Sequence, residues 1–126
     1  YKDRMKFRLA ETYLLLAEAY LRQDMPDKAA DAVNEVRRRA KVSDVSDDEM
    51  TMDFLLDERI RELYGEESRR FTLIRTGKLL ERVRKYNPEA RDLIQDFHVL
   101  WPIPQAIRDA NVGNFPQNPG YEGYEG

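Results

Sequence analysis

Apolar residues recur through the first half of the chain at spacings of three and four, the period of helices with a buried face. Between Lys2 and Gln23 the residues Ala10, Tyr13, Leu14, Ala17, Tyr20 and Leu21 share one side of such a helix. Leu9, Leu15, Leu16 and Ala19 carry the apolar surface most of the way round, and Glu11, Glu18 and Arg22 are the polar remainder. The pattern predicts a helix with neighbours on two sides. Gln23-Asp24-Met25 interrupts it, and Pro26 suits the first turn of a second helix, where its missing N–H removes no hydrogen bond. Asp27 then sits at the positive end of the helix dipole and Arg37, Arg38 and Arg39 at the negative end. Ala29, Val33, Val36 and Ala40 form the predicted buried stripe, its alanines allowing close approach to the first helix. Two helices joined by a short turn predict an antiparallel hairpin.

The stretch Ser43 to Asp48 is polar and turn-forming. Ser46 with Glu49 fits a capping box, but Thr51 followed by Asp53 is the favoured start of a third helix, after a turn over Asp47 to Met50. Met52, Leu56, Ile60 and Leu63 give this helix a predicted buried face, widened by Leu55 and Tyr64. Gly65 accommodates a left-handed residue and ends or kinks it. Arg69 to Thr76 and Leu79 to Tyr86 read as two further helices separated near Gly77, and Glu89 to Asp96 as a short helix after the Asn87-Pro88 turn. Val99 to Pro104 holds two prolines and is expected to be extended, packing Leu100, Trp101 and Ile103 onto the helices. Gln105 to Ala110 reads as one more helical turn. The expected organisation is all-α: a single helical domain over residues 1–110, and an extended, partly frayed tail over residues 111–126, rich in Asn, Gly and Pro.

Composition narrows the function classes. The 126 residues are 41% hydrophobic and 36% charged, which fits a charged globular helical chain. A net charge of −3 supplies no basic footprint and argues against nucleic acid as a partner. With no cysteine there is no disulfide scaffold, thiolate metal site or cysteine nucleophile. No apolar run approaches the ~20 residues of a spanning helix. The chain starts at Tyr1 rather than Met and carries no visible signal peptide, which leaves its location open.

The candidate chemistry is weak. Glu58 and Glu62 lie one helical turn apart, but glycoside hydrolysis uses carboxylates facing each other across a cleft. Carboxylates on one helix are better read as ion-pair partners, Asp57 reaching Arg61 at i+4 and Glu58 reaching it at i+3. Glu58, Arg61, Glu62, Arg70 and Arg75 are therefore expected to belong to a structural charge network with no catalytic role. The one histidine, His98, has no acidic residue three positions earlier, so the di-iron Glu-x-x-His pattern is absent. No phosphate-binding glycine loop or nucleophile elbow is present, and no metal or cofactor is expected. Trp101, Tyr121 and Tyr124 are the residues able to stack on a sugar ring, with core packing the preferred role for Trp101 beside Pro102. Leu16, Ala17, Tyr20, Ala29, Val33 and Val36 have the spacing of a tetratricopeptide-type hairpin, present as one copy.

Several short runs in order resemble the C-terminal region of the SusD/RagB family of outer-membrane nutrient-binding lipoproteins. They are Arg8-Leu9-Ala10-Glu11, Leu16-Ala17-Glu18-Ala19, and Ala32-Val33-Asn34-Glu35-Val36 followed by Arg37-Arg38-Arg39. Leu56-Asp57-Glu58-Arg59, Arg61-Glu62-Leu63-Tyr64-Gly65-Glu66, Arg70-Phe71, Leu73 and Arg75-Thr76-Gly77-Lys78 follow, and then Pro102-Ile103-Pro104-Gln105 and Gln117-Asn118-Pro119-Gly120-Tyr121. The resemblance implies a helical, tetratricopeptide-containing protein that binds a polysaccharide, oligosaccharide or other nutrient and is not an enzyme. It also implies an outer-membrane location at the cell surface, an N-terminal lipid anchor absent from this chain, and partnership with a TonB-dependent, SusC-like transporter. Thr72 departs from the family's usual aspartate and Met25 from its usual glycine in the first hairpin turn, which implies a lost polar contact and a different turn. No ligand-binding position is carried over onto this chain. Without the resemblance, the alternatives are a stand-alone tetratricopeptide-like interaction module and, last, a hydrolase using Glu58 or Glu62.

Overall fold

A computed structural model describes residues 7–125. Among the described residues every regular element is helical: α1 (Leu9–Leu21), α2 (Pro26–Arg39), α3 (Met52–Glu62), α4 (Arg69–Arg75), α5 (Leu79–Tyr86) and α6 (Gln105–Asp109), with a 3₁₀ turn at Asp96–Val99. They fall into two compact units that divide between Ser68 and Arg69.

In the first unit α1 and α2 form the expected antiparallel hairpin, and α3 packs against both. Leu14, Ala17, Ala29, Val33 and Leu55 are fully buried between them, and the zero-exposure alanines mark where the helices cross closest. Removing this much apolar surface from water is what stabilises three short helices that would be marginal alone. Met25 is not the left-handed residue of the hairpin turn. Asp24 takes that conformation at φ 58°, and the Met25 N–H bonds back to the Tyr20 carbonyl. α1 starts at Leu9, since Arg8 is extended, and the expected helical residues Lys2 to Lys6 lie outside the described ones.

Three burial patterns differ from expectation. On α1 Leu9, Leu15 and Leu16 stay exposed, while Glu18 is buried and paired at 3.0 Å with Arg22. Ala40 is exposed because α2 ends one residue earlier and Ala40 serves as its C-cap. On α3 the buried face is rotated: Leu55, Leu56, Glu58 and Arg59 are inside, whereas Ile60 and Tyr64 face solvent. Glu58 and Arg59 can turn inward because each meets an oppositely charged partner there, Arg37 for Glu58 and Glu67 for Arg59.

The loop between α2 and α3 is held by α2 side chains: Arg37 donates to the Ser43 carbonyl at 2.7 Å, Arg38 pairs with Asp44, and buried Asn34 fixes Val45. Asn34, buried on α2, donates from Nδ2 to the Val45 carbonyl at 3.0 Å and accepts the Val45 N–H on Oδ1 at 2.8 Å. Glu49 accepts from both the Ser46 N–H and hydroxyl in the turn, and Thr51 caps α3 by accepting the Phe54 N–H at 3.2 Å.

In the second unit α4 and α5 meet across Gly77, which is left-handed at φ 71°. The expected helix at Glu89 to Asp96 is instead a series of turns. Asn87 Oδ1 accepts the Glu89 and Ala90 N–H groups as a cap would, but the only large apolar residues are Leu93 and Ile94 and Leu93 is exposed, so there is no apolar face to bury. Leu100 and Trp101 are likewise exposed, against the expected packing. Within residues 111–125 the chain turns back. Buried Gln117 donates to the Ile103 carbonyl at 2.9 Å and accepts its N–H at 2.7 Å, and the Tyr121 hydroxyl donates to the Leu100 carbonyl at 2.9 Å. Among the described residues no helix is long and apolar enough to cross a membrane.

Candidate functional site

The acids of α3 are held by arginines from three directions. Glu58 Oε2 accepts from Arg37 of α2 at 2.8 Å and from Arg61, one turn further along α3, at 2.8 Å. Both guanidinium groups lie over the Phe54 ring, at 5.4 Å and 5.8 Å from its centroid, so a cation–π contact backs each ion pair. Glu62 is engaged by Arg8 and by Arg39. Arg8 also donates to the Glu62 carbonyl, closing the end of α3, and its Nε meets Glu66 at 2.6 Å. Glu66 first and Glu62 second hold the Arg8 guanidinium above its already high ordinary pKa. Arg59, among the most deeply buried side chains, pairs at 2.9 Å with Glu67 in the turn beyond Gly65.

This arrangement anchors α3 and its following turn to α2 and to the entry of α1. It leaves little for chemistry. Each carboxylate is committed to at least one guanidinium, whereas a general acid or base needs a carboxyl whose proton affinity is raised toward neutrality and which faces a substrate. No group of His, Asp or Glu side chains among the described residues is arranged to hold a metal ion. Of the five residues assigned to a charge network, Glu58 and Arg61 touch, and Glu62 stands one turn on with other arginines. Arg70 is engaged within the second unit: it donates to the His98 carbonyl, and its guanidinium lies 4.5 Å from the Trp101 ring centroid. Arg75 closes α4. The partners that pattern reading missed are Arg8, Arg37 and Arg39. The three consecutive arginines were visible, but their local role at the α2 terminus hid their reach to α3.

Around Trp101 the second unit is stiffened by polar bonds to the backbone. Asn118 donates to the Trp101 carbonyl at 2.7 Å. Phe97 stacks against His98 at 4.2 Å between centroids and meets the Tyr121 ring edge-on at 4.9 Å. His98 Nδ1 accepts the Gln95 N–H at 2.8 Å, a structural use of the one histidine. Gly120 is left-handed at φ 87°, and a Cβ there would lie 2.3 Å from Phe97 Cγ.

The chain as a whole is similar to known proteins. The sequence model of the SusD family matches residues 2–121. The chain belongs to the SusD family. It is 36% identical over 113 aligned positions to SusD-like protein P25 of Formosa agariphila, covering 81% of this chain and 21% of that protein. It is 35% identical over 125 positions to the starch-binding protein SusD of Bacteroides thetaiotaomicron, covering 92% of this chain and 21% of that one. SusD-like protein P38 of Formosa agariphila is 32% identical over 108 positions, covering 77% of this chain and 20% of that protein. The chain thus spans about a fifth of the length of the curated relatives it matches. No solved structure matches it. Family membership agrees with the all-helical, tetratricopeptide-like architecture seen in the first unit.

Proposed function

We propose that this chain is the C-terminal helical region of a nutrient-binding protein that captures a polysaccharide or oligosaccharide at the outer membrane. The observation that carries this reading is the 35% identity, across 92% of the chain, to a protein named for binding starch. In this reading the whole protein is held at the cell surface by an N-terminal lipid anchor outside this chain and hands its ligand to a TonB-dependent, SusC-like transporter. The role of the present residues is architectural. The charge network fixes α3 against the α1–α2 hairpin, and its carboxylates are already engaged by arginines, which favours binding over catalysis.

Isothermal titration of the protein at its full natural length against neutral oligosaccharides, together with co-purification from outer membranes, tests the reading. Saturable glycan binding and a co-purifying transporter are expected. A protein that binds none of them and brings down no transporter contradicts it.

A second reading, a helical interaction module, is favoured by a groove of about 260 Å³ on the hairpin. Tyr13, Leu16 and Tyr20 form one wall and Lys28, Asp31 and Glu35 the other, the mixture of apolar floor and charged rim that receives an amphipathic helix. A peptide library that binds the protein while glycans do not would favour it.

A further inference from the structure

We propose that the cleft lined by Arg84, Ile94, Gln95, Asp96 and Phe97 is a contact site for a neutral saccharide presenting adjacent hydroxyls. This inference rests on the glycan-binding reading above and assigns part of that binding to this chain. The cleft is a shallow, open depression of about 530 Å³ within the second unit.

Its lining combines the two features that sugar recognition needs, planar polar groups for hydroxyls and an aromatic wall for the apolar ring face. Arg84, in the last turn of α5, brings guanidinium donors, and Asp96 brings carboxylate acceptors. Arg84 Nη2 and Asp96 Oδ1 stand 3.1 Å apart, so neighbouring hydroxyls reaching both would meet a donor and an acceptor side by side. The two side chains are 50% and 88% exposed, and a pair that open contributes little to stability and re-aims easily. Their charges cancel, so nothing in the cleft selects an anionic sugar over a neutral one.

The aromatic wall is preorganised. Phe97 is clamped by His98, by the edge-on Tyr121 ring and by the absence of a side chain at Gly120. The reciprocal bonds between Gln95 and His98 set the backbone that presents Asp96 and Phe97. A ring already in place loses little freedom on binding, while the exposed Arg84 and Asp96 side chains adjust to the ligand, which suits a shallow site for a weakly held one.

The test uses the protein at its full natural length with maltoheptaose, laminarihexaose and xylohexaose as probes. Hydrogen–deuterium exchange is followed over residues 94–97 with and without each sugar, and titration calorimetry compares the wild type with Arg84→Ala and Asp96→Ala. Both substituted side chains are exposed, so unchanged melting temperatures are expected. Protection of residues 94–97 by at least one sugar, with affinity for that sugar lowered about three- to tenfold in each variant, supports the site. Sugar binding with residues 94–97 unprotected and both variants at wild-type affinity overturns the site and leaves the glycan-binding reading standing. Failure of the wild type to bind any of the three overturns that reading and the site with it.

Discussion

Asn34 does what no apolar residue in its place could do. One buried amide satisfies both the N–H and the carbonyl of Val45, and the loop leading to α3 is thereby fixed to α2. Asn34→Ala leaves both groups unpaired inside the protein, so a loss of about 2–4 kcal/mol is expected in urea denaturation. Two residues of the following turn set a pH dependence. The Ser46 hydroxyl, then its N–H, holds the Glu49 carboxyl below the ordinary carboxylate range. A carboxyl depressed on folding adds stability at pH values above that range, and the contribution disappears as the pH falls through the folded value. Ser46→Ala should therefore lower the melting temperature at neutral pH, with the difference from wild type closing in acid. A difference that stays constant from neutral pH into acid would refute this assignment. At this scale the sequence was half legible. Glu58 with Arg61 is a local pair and was read from spacing, whereas Arg37 reaches Glu58 across two helices, and spacing carries no information about that distance.

At the scale of elements, the boundaries that follow from backbone chemistry were legible. Pro26 opens α2, Thr51 caps α3 and Gly77 separates α4 from α5, each for a reason contained in the residue itself. Faces were less legible than boundaries. α1 exposes Leu9, Leu15 and Leu16 while burying Glu18, and α3 buries Arg59 while exposing Ile60, because packing partners decide which side of a helix turns inward. The turns at Glu89 to Asp96 were misread as a helix for lack of any apolar face. Two glycines separate conformational from steric demands. Gly65 is left-handed at φ 76° with open space around it, so Gly65→Ala should cost only the left-handed penalty, about 1 kcal/mol. Gly120→Ala adds a collision with Phe97 to the same penalty and should cost about 2–3 kcal/mol, with the ring displaced. Chemical denaturation of the two variants checks the order, and equal losses would show that Phe97 yields freely.

For the whole molecule, the Leu55–Lys78 stretch contains the centre of the charge network. Glu58 and Glu62 are engaged by arginines from α2, α3 and the entry to α1, an arrangement that specifies how helices meet. The candidate sugar contacts lie elsewhere, in loops of the second unit that apolar periodicity does not describe, and only the assembled cleft brought Arg84 and Asp96 together. In the proposed reading, architecture and sugar contact fall to different residues. Glu58→Gln, made in the full-length protein, tests it most directly because it removes the charge shared by Arg37 and Arg61 while keeping the shape. The unfolding free energy should fall by about 3 kcal/mol with glycan affinity of the folded protein unchanged. Unchanged stability together with lost glycan binding or lost glycan turnover would contradict the account.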